Sequence, residues 1–224
     1  MNRTTLTIIM LLFLAITTTR SSAQETADTK PLQEVVVTGS KQKNKTLSNR
    51  GTRILGAIHM LTPDKVGYEE GSAISVKHPF EVEEIEFFII SNSIRNVKLQ
   101  VAIYRDGTFT EVLGHPIVVD IPEGNRQRIV ATPAERTLLE PGYYIVAITF
   151  AHCDEETQQQ WANSDQWDGQ TRYQMMKQSI QFPLYLKAGY IRSTSTDTFE
   201  KCPANIGPKV KGRVCHRFCL SRHS

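Results

Sequence analysis

The residues most capable of chemistry are six histidines, four cysteines, two tryptophans and one run of acids. His59, His78, His115, His152, His216 and His223 include no two with metal-ligand spacing and a nearby acid. His78 and His115 each precede a proline and read as strand-edge residues. His152 adjoins Cys153, but neighbours on a strand point to opposite faces, which argues against a Cys–His dyad. The chain has neither a Gly-x-Ser-x-Gly turn for a serine nucleophile nor a glycine-rich phosphate loop. Glu81, Glu83, Glu84 and Glu86 form the acidic run. On a strand, Glu84 and Glu86 would share a face about 7 Å apart, a separation that permits glycoside hydrolysis. The simpler reading is a charged strand edge that resists edge-to-edge pairing. These residues point to a protein that is not an enzyme and needs no metal or cofactor.

Binding chemistry has a better candidate. Trp161 and Trp167 sit with Asp165, Asp168 and several amides in a polar stretch, Asp154–Gln178. Sugars stack on indole faces while carboxylates and amides take their hydroxyls. The alternative is that both indoles pack down and pin the stretch to the domain. Exposed, coplanar rings would favour the sugar.

Cys202, Cys215 and Cys219 cluster near the C-terminus. A Cys202–Cys215 bridge would close a short loop and contribute up to about 3 kcal/mol. Zinc fits less well, because the spacing with His216 matches no standard site. Cys153 ends an apolar run and reads as a buried thiol. Lys209, Lys211, Arg213, Arg217 and Arg222 crowd the same end without an acid among them. Such a tail could bind nucleic acid or anionic lipid, but it reads first as a frayed, solvated terminus.

The N-terminus sets the compartment. Arg3, the short apolar run Leu6–Ile16 and the small residues Ser21 and Ala23 have the layout of a signal peptide over residues 1–23. The run is too short to cross a bilayer core of roughly 30 Å. No later stretch is apolar enough to do so, so no transmembrane segment is expected after cleavage. Export argues against a nucleic-acid partner and permits disulfides.

Residues 24–50 are polar and lack core-forming content, which predicts a disordered leader. Within it, Leu32-Gln33-Glu34-Val35-Val36-Val37-Thr38-Gly39 has high strand propensity. A domain is expected over 51–212 and a basic, cysteine-containing tail over 213–224. Strands are expected at Ile54–Leu61, Ala73–Val76, Val82–Ser91, Val97–Tyr104, Phe109–Leu113, His115–Ile121, Arg126–Ala131 and, after Pro141-Gly142, Tyr143–Ala151. A closing hairpin, Phe182–Ala188 with Tyr190–Phe199, is centred on Gly189, and Pro203, Gly207 and Pro208 are expected to loosen the chain. Short strands split by Gly and Pro turns, with almost no helical periodicity, indicate an all-β, antiparallel, jelly-roll-like β-sandwich with one polar insertion.

Two stretches resemble known proteins. Leu32–Gly39 resembles the TonB-box segment that leads into the plug of TonB-dependent outer-membrane receptors. The chain is far too short to be such a receptor itself. Ile54–Val210 resembles the β-sandwich domain of bacterial envelope proteins that often carry a carboxypeptidase-regulatory-like domain. That resemblance rests on Glu84–Phe87 with Val101–Arg105, on Leu139-Glu140-Pro141-Gly142-Tyr143-Tyr144, and on Phe182–Tyr185 through Pro208. The resemblance implies a sandwich in the periplasm or at the outer membrane and brings no catalytic residues. The expected role is a structural or protein-interaction module. Glu34, Val35, Val36, Val37, Thr38 and Gly39 are candidate contacts to an envelope partner, added as a strand to its sheet. A glycan bound at the tryptophans is the alternative partner.

Overall fold

The computed structural model describes residues 43–105, 110–193 and 198–215. They form two antiparallel sheets packed face to face. The first holds β1 (Asn44–Ser48), β2 (Thr52–Leu61), β4 (Phe80–Asn92), β7 (Gly124–Ala131), β8 (Thr137–Leu139), β10 (Ile180–Leu186) and β13 (Lys209–Val214). The second runs β12 (Glu200–Cys202), β11 (Gly189–Arg192), β3 (Glu69–Val76), β9 (Gly142–His152), β5 (Val97–Arg105) and β6 (Ile117–Ile121). The expected all-β sandwich is therefore the fold. Among the described residues, no helix is long and apolar enough to cross a membrane.

β4 organises the first sheet. It pairs with β13 and then β10 along one side, and with β8 and then β7 along the other. Its alternation sends Phe80, Val82, Ile85, Phe87 and Ile89 inward, where each is buried. The three-residue step from Val82 to Ile85 coincides with a register shift opposite Lys211/Gly212. This bulge restores the inward phase after an extra residue. Only glycine fits at 212, because a Cβ there would lie 1.9 Å from the Glu81 carbonyl oxygen.

β9 is the corresponding strand of the second sheet. Tyr144, Val146, Ile148 and Phe150 face the core, where they meet Leu99, Val101, Phe87 and Phe182. Its opposite face is also dry in part. Ile145 and Ala147 join Ala102 and Tyr104 in a small second cluster roofed by Phe199. Arg192 lies between the Tyr104 and Phe199 rings, 5.2 and 4.4 Å from their centroids, and pairs with the buried Glu69 carboxylate at 2.5 Å.

Several sequence expectations change. The leader does not run to Arg50 as disordered chain: Asn44–Ser48 is an edge strand on β13, and Leu47 is a core residue at 7% exposure. Lys209–Val214 is not a frayed tail. It is the strand between β1 and β4, and alternation puts Val210 in the core while Lys209, Lys211 and Arg213 face outward toward the acidic run. Nor do 182–188 and 190–199 close a hairpin. β10 pairs with β2 and β4, β11 pairs with β3 and β12, and the chain crosses between sheets at Lys187–Ala188. Gly189 is a strand residue, selected by close approach: a Cβ would stand 2.4 Å from Ala204 O. Cys202 and Cys215 do not bridge. Cys202 lies on β12 of one sheet and Cys215 directly follows β13 of the other. At 110–113 the chain makes a single bridge, Tyr104 to Val112, in place of a strand.

Pro203–Pro208 does not loosen the chain either. Asn205 is buried, and its amide donates to Asn49 O (3.2 Å) and Lys187 O (2.8 Å) while its Oδ1 accepts from Gly207 N (2.8 Å). Its backbone bonds Tyr185 in both directions. Arg50 Nε donates to Gly207 O at 2.5 Å, with its guanidinium over the Tyr185 ring. One side chain thus ties together the β1–β2 link, the crossing between sheets and the approach to β13.

Candidate functional site

The insertion after β9 folds as two short helices, α1 (Glu155–Trp161) and α2 (Gly169–Met175), joined by a turn at Ser164–Gln166. Asp154 caps α1 by accepting from Thr157 N (3.1 Å) and Thr157 Oγ1 (3.0 Å), and Glu155 and Glu156 complement the positive helix start. Asp168 caps α2 by accepting from Thr171 N at 2.6 Å. That backbone donor is the main reason its carboxyl is held below the usual range. Asp168 therefore serves as the N-cap of α2. Asp165 is exposed on the connecting turn.

The tryptophans hold the insertion in shape. Trp161 is 4% exposed, and its Nε1 donates to Gln178 Oε1 at 3.1 Å. Trp167 is half-buried and meets Trp161 edge to face, with ring centroids 4.9 Å apart and planes at 63°. This is the favourable aromatic pairing of an anchored element. A flat sugar platform needs two exposed, coplanar indoles, and this pair supplies neither.

What the rings do create is a groove of about 190 Å³ between the insertion and the end of β2. Met60, Trp161, Trp167 and Met176 give it an apolar lining, and Asp64, Lys65 and Arg172 add charge. Arg172 is fixed by donating from Nη2 to Ser164 O at 2.7 Å, and Asp64 accepts from Thr62 Oγ1 at 2.5 Å. Tyr173 (70% exposed) and Met176 project from or just after α2, and Ile58 is exposed on β2. β2 itself is an edge strand that pairs only with β10 among the described residues. Exposed tyrosine, methionine and a fixed arginine beside an open strand edge are the makings of a protein contact. Compared with known proteins, the chain matches no protein-family model, no curated protein and no solved structure.

Other candidate groups are committed elsewhere. Lys211 Nζ lies 2.6 Å from Glu84 Oε1 and 2.7 Å from Glu86 Oε2, Arg128 Nε lies 2.6 Å from Glu86, Arg136 Nε lies 2.9 Å from Glu81 and Arg213 Nε lies 2.6 Å from Glu83. The hydrogen bond from Lys211, reinforced by Arg128, holds the Glu86 carboxyl at about 2. Glu84 and Glu86 do share a face, but cations occupy the space between them. Burial pushes the Cys153 thiol up to about 11, the opposite of an activated nucleophile. Among the described residues, no group of three or more His, Cys, Asp and Glu side chains is placed to hold a metal.

Nothing in the spacing of the sequence marks out His59. The structure puts its Nε2 2.9 Å from Glu70 Oε1, between the sheets, with its ring stacked on Tyr68. Two adjacent acids, Glu69 and Glu70, inside an otherwise ordinary strand were the available signal. The leader residues Glu34, Val35, Val36, Val37, Thr38 and Gly39, the signal-like residues 1–23, Cys219 and the chain after Cys215 lie outside the described residues.

Proposed function

We propose that this chain is an exported, non-catalytic protein of the bacterial envelope that acts as an interaction module. Its contact surface is the groove between β2 and the Trp insertion. The observation that carries this reading is the apolar Met60–Trp161–Trp167–Met176 lining beside an open strand edge. An extended partner segment could add to the outer side of β2 and place alternate side chains in the groove. Methionines suit such a surface because they adapt to varied apolar partners. Export rests on the signal-like N-terminus, and the envelope setting on the resemblances of Leu32–Gly39 and the sandwich region. The non-catalytic part is supported by the ion pairing of the acidic run and the raised Cys153 thiol.

The test is affinity capture from gently solubilised envelope of the native host, using the intact protein beside Met60→Asp and Met176→Asp. Both substitutions put a charge into the groove at positions that are not in the buried core. A partner retained by the wild type and lost by both variants, with thermal stability unchanged, is the expected result. Equal recovery by all three would refute the groove as the contact surface.

A further inference from the structure

The groove beside β2 carries a charge that the fold leaves unanswered. Arg172 lines it from α2, and its Nη2 donates to Ser164 O at 2.7 Å. That bond fixes the plane of the guanidinium, but no carboxylate among the described residues pairs with it. The acids nearest to it in the groove and the helix have other partners. Asp168, at the start of the same helix, accepts from Thr171 N. Asp64, which also lines the groove, accepts from Thr62 Oγ1 at 2.5 Å and lies 3.4 Å from Lys65 Nζ. Asp64 and Lys65 offset each other, so the groove presents the net charge of a positioned guanidinium beside an apolar lining.

β2 sets the direction of an occupant. His59 faces Glu70 between the sheets and Leu61 lies in the core, so Ile58 and Met60 share the outward side of the strand. Among the described residues, no strand pairs with the other edge of β2. A segment added there lays alternate side chains along that same side, about 7 Å apart. The groove, at about 190 Å³, has room for one bulky side chain and none for a long apolar run.

We propose that the partner of this surface is an extended peptide segment that seats a bulky apolar side chain in the groove and, two residues away, sets an Asp or Glu carboxylate against Arg172. The proposal rests on the interaction-module reading above and supplies the chemistry of the partner. A guanidinium presents parallel N–H donors that match a carboxylate. The apolar wall beside it lowers the local dielectric, which strengthens that pair and penalises a basic residue at the same place.

The test selects binders from a phage-displayed library of random octapeptides on the intact protein, beside Arg172→Gln, Arg172→Glu and Met60→Asp. The wild type should enrich sequences with a bulky apolar residue two positions from Asp or Glu. Arg172→Gln should keep the apolar preference and lose the acid, and Arg172→Glu should exchange the acid for Lys or Arg. Met60→Asp should enrich neither. In solution, tryptophan fluorescence should show an enriched peptide binding the wild type at least about threefold tighter than the same peptide with Gln in place of its acid, as one ion pair at an open site allows. High salt should shrink that difference. Apolar enrichment without an acid, or an acid preference that survives Arg172→Glu, would overturn the proposal and leave the groove as a contact surface. No enrichment, or enrichment that Met60→Asp does not alter, would overturn both. A wild-type dimer in sedimentation that Met60→Asp dissolves would put a second copy in the groove and overturn the peptide assignment.

Discussion

Replacing Asn205 by alanine should destabilise the whole sandwich, because three segments distant in sequence depend on its amide. The side chain is buried and makes three hydrogen bonds, to Asn49 O, Lys187 O and Gly207 N. Each contributes about 1 kcal/mol net, and a buried partner left unpaired raises the loss. The expected cost is about 3 kcal/mol, which for a domain of this size lowers Tm by about 6–12 °C. Asn205→Asp is the informative companion. It keeps the acceptor for Gly207 N but turns the donor toward Asn49 and Lys187 into an oxygen facing two carbonyls, so it should destabilise at least as much as alanine. Thermal melts followed by circular dichroism, with urea titration to check that the m-value holds, give the answer. A Tm change under about 2 °C for Asn205→Ala would refute the reasoning, since it would mean that the three segments hold together without the amide.

Glu86 sets an acid limit. Its carboxyl is held at about 2 in the folded state against an ordinary value of 4.5, so its contribution is complete above the ordinary value and is lost as pH falls from there toward 2. Glu86→Gln should flatten the decline of Tm between about pH 5 and pH 2, and an unchanged profile would contradict the pairing with Lys211. Gly212→Ala should cost more than about 3 kcal/mol, because its Cβ would collide with the Glu81 carbonyl 1.9 Å away; chemical denaturation measures this. Cys153, raised to about 11 by burial, should resist a thiol reagent at pH 8 until the protein unfolds, which peptide mapping of the labelled protein can follow. Deleting residues up to Arg50 removes β1 and buried Leu47 and should lower Tm by several degrees; an unaltered Tm would show that β1 is dispensable.

The central strands were legible because their chemistry is local. Tyr143–Ala151 is apolar on both faces, and Val97–Tyr104 alternates, so β9 and β5 stand out from the sequence itself. β13 was harder. Lys209, Lys211 and Arg213 alternate with Val210, Gly212 and Val214, which is a strand signal, but the residues that neutralise the charges lie on β4, more than a hundred positions earlier. Without that pairing in view, a basic stretch near a terminus reads as tail. Gly189 misled in the opposite way. Its composition suggests a turn, while its real constraint is the Ala204 carbonyl against its backbone. Half of the candidate site was visible: Trp161 and Trp167 marked the insertion. The other half, Met60, Thr62, Asp64 and Lys65, comes from the end of β2 and the turn after it, about a hundred residues away, which only the fold brings alongside. The ring geometry that disfavours a sugar platform is likewise a product of the tertiary structure.

The most direct test of the proposed interaction surface is photo-crosslinking in the living host. A photoreactive phenylalanine analogue replaces exposed Tyr173, next in sequence to the groove-lining Arg172, and, as a control, exposed Val118 on β6 of the other sheet. The account predicts one dominant adduct with a partner polypeptide from position 173 and none from 118. No adduct at 173, or the same adducts from both positions, would contradict it.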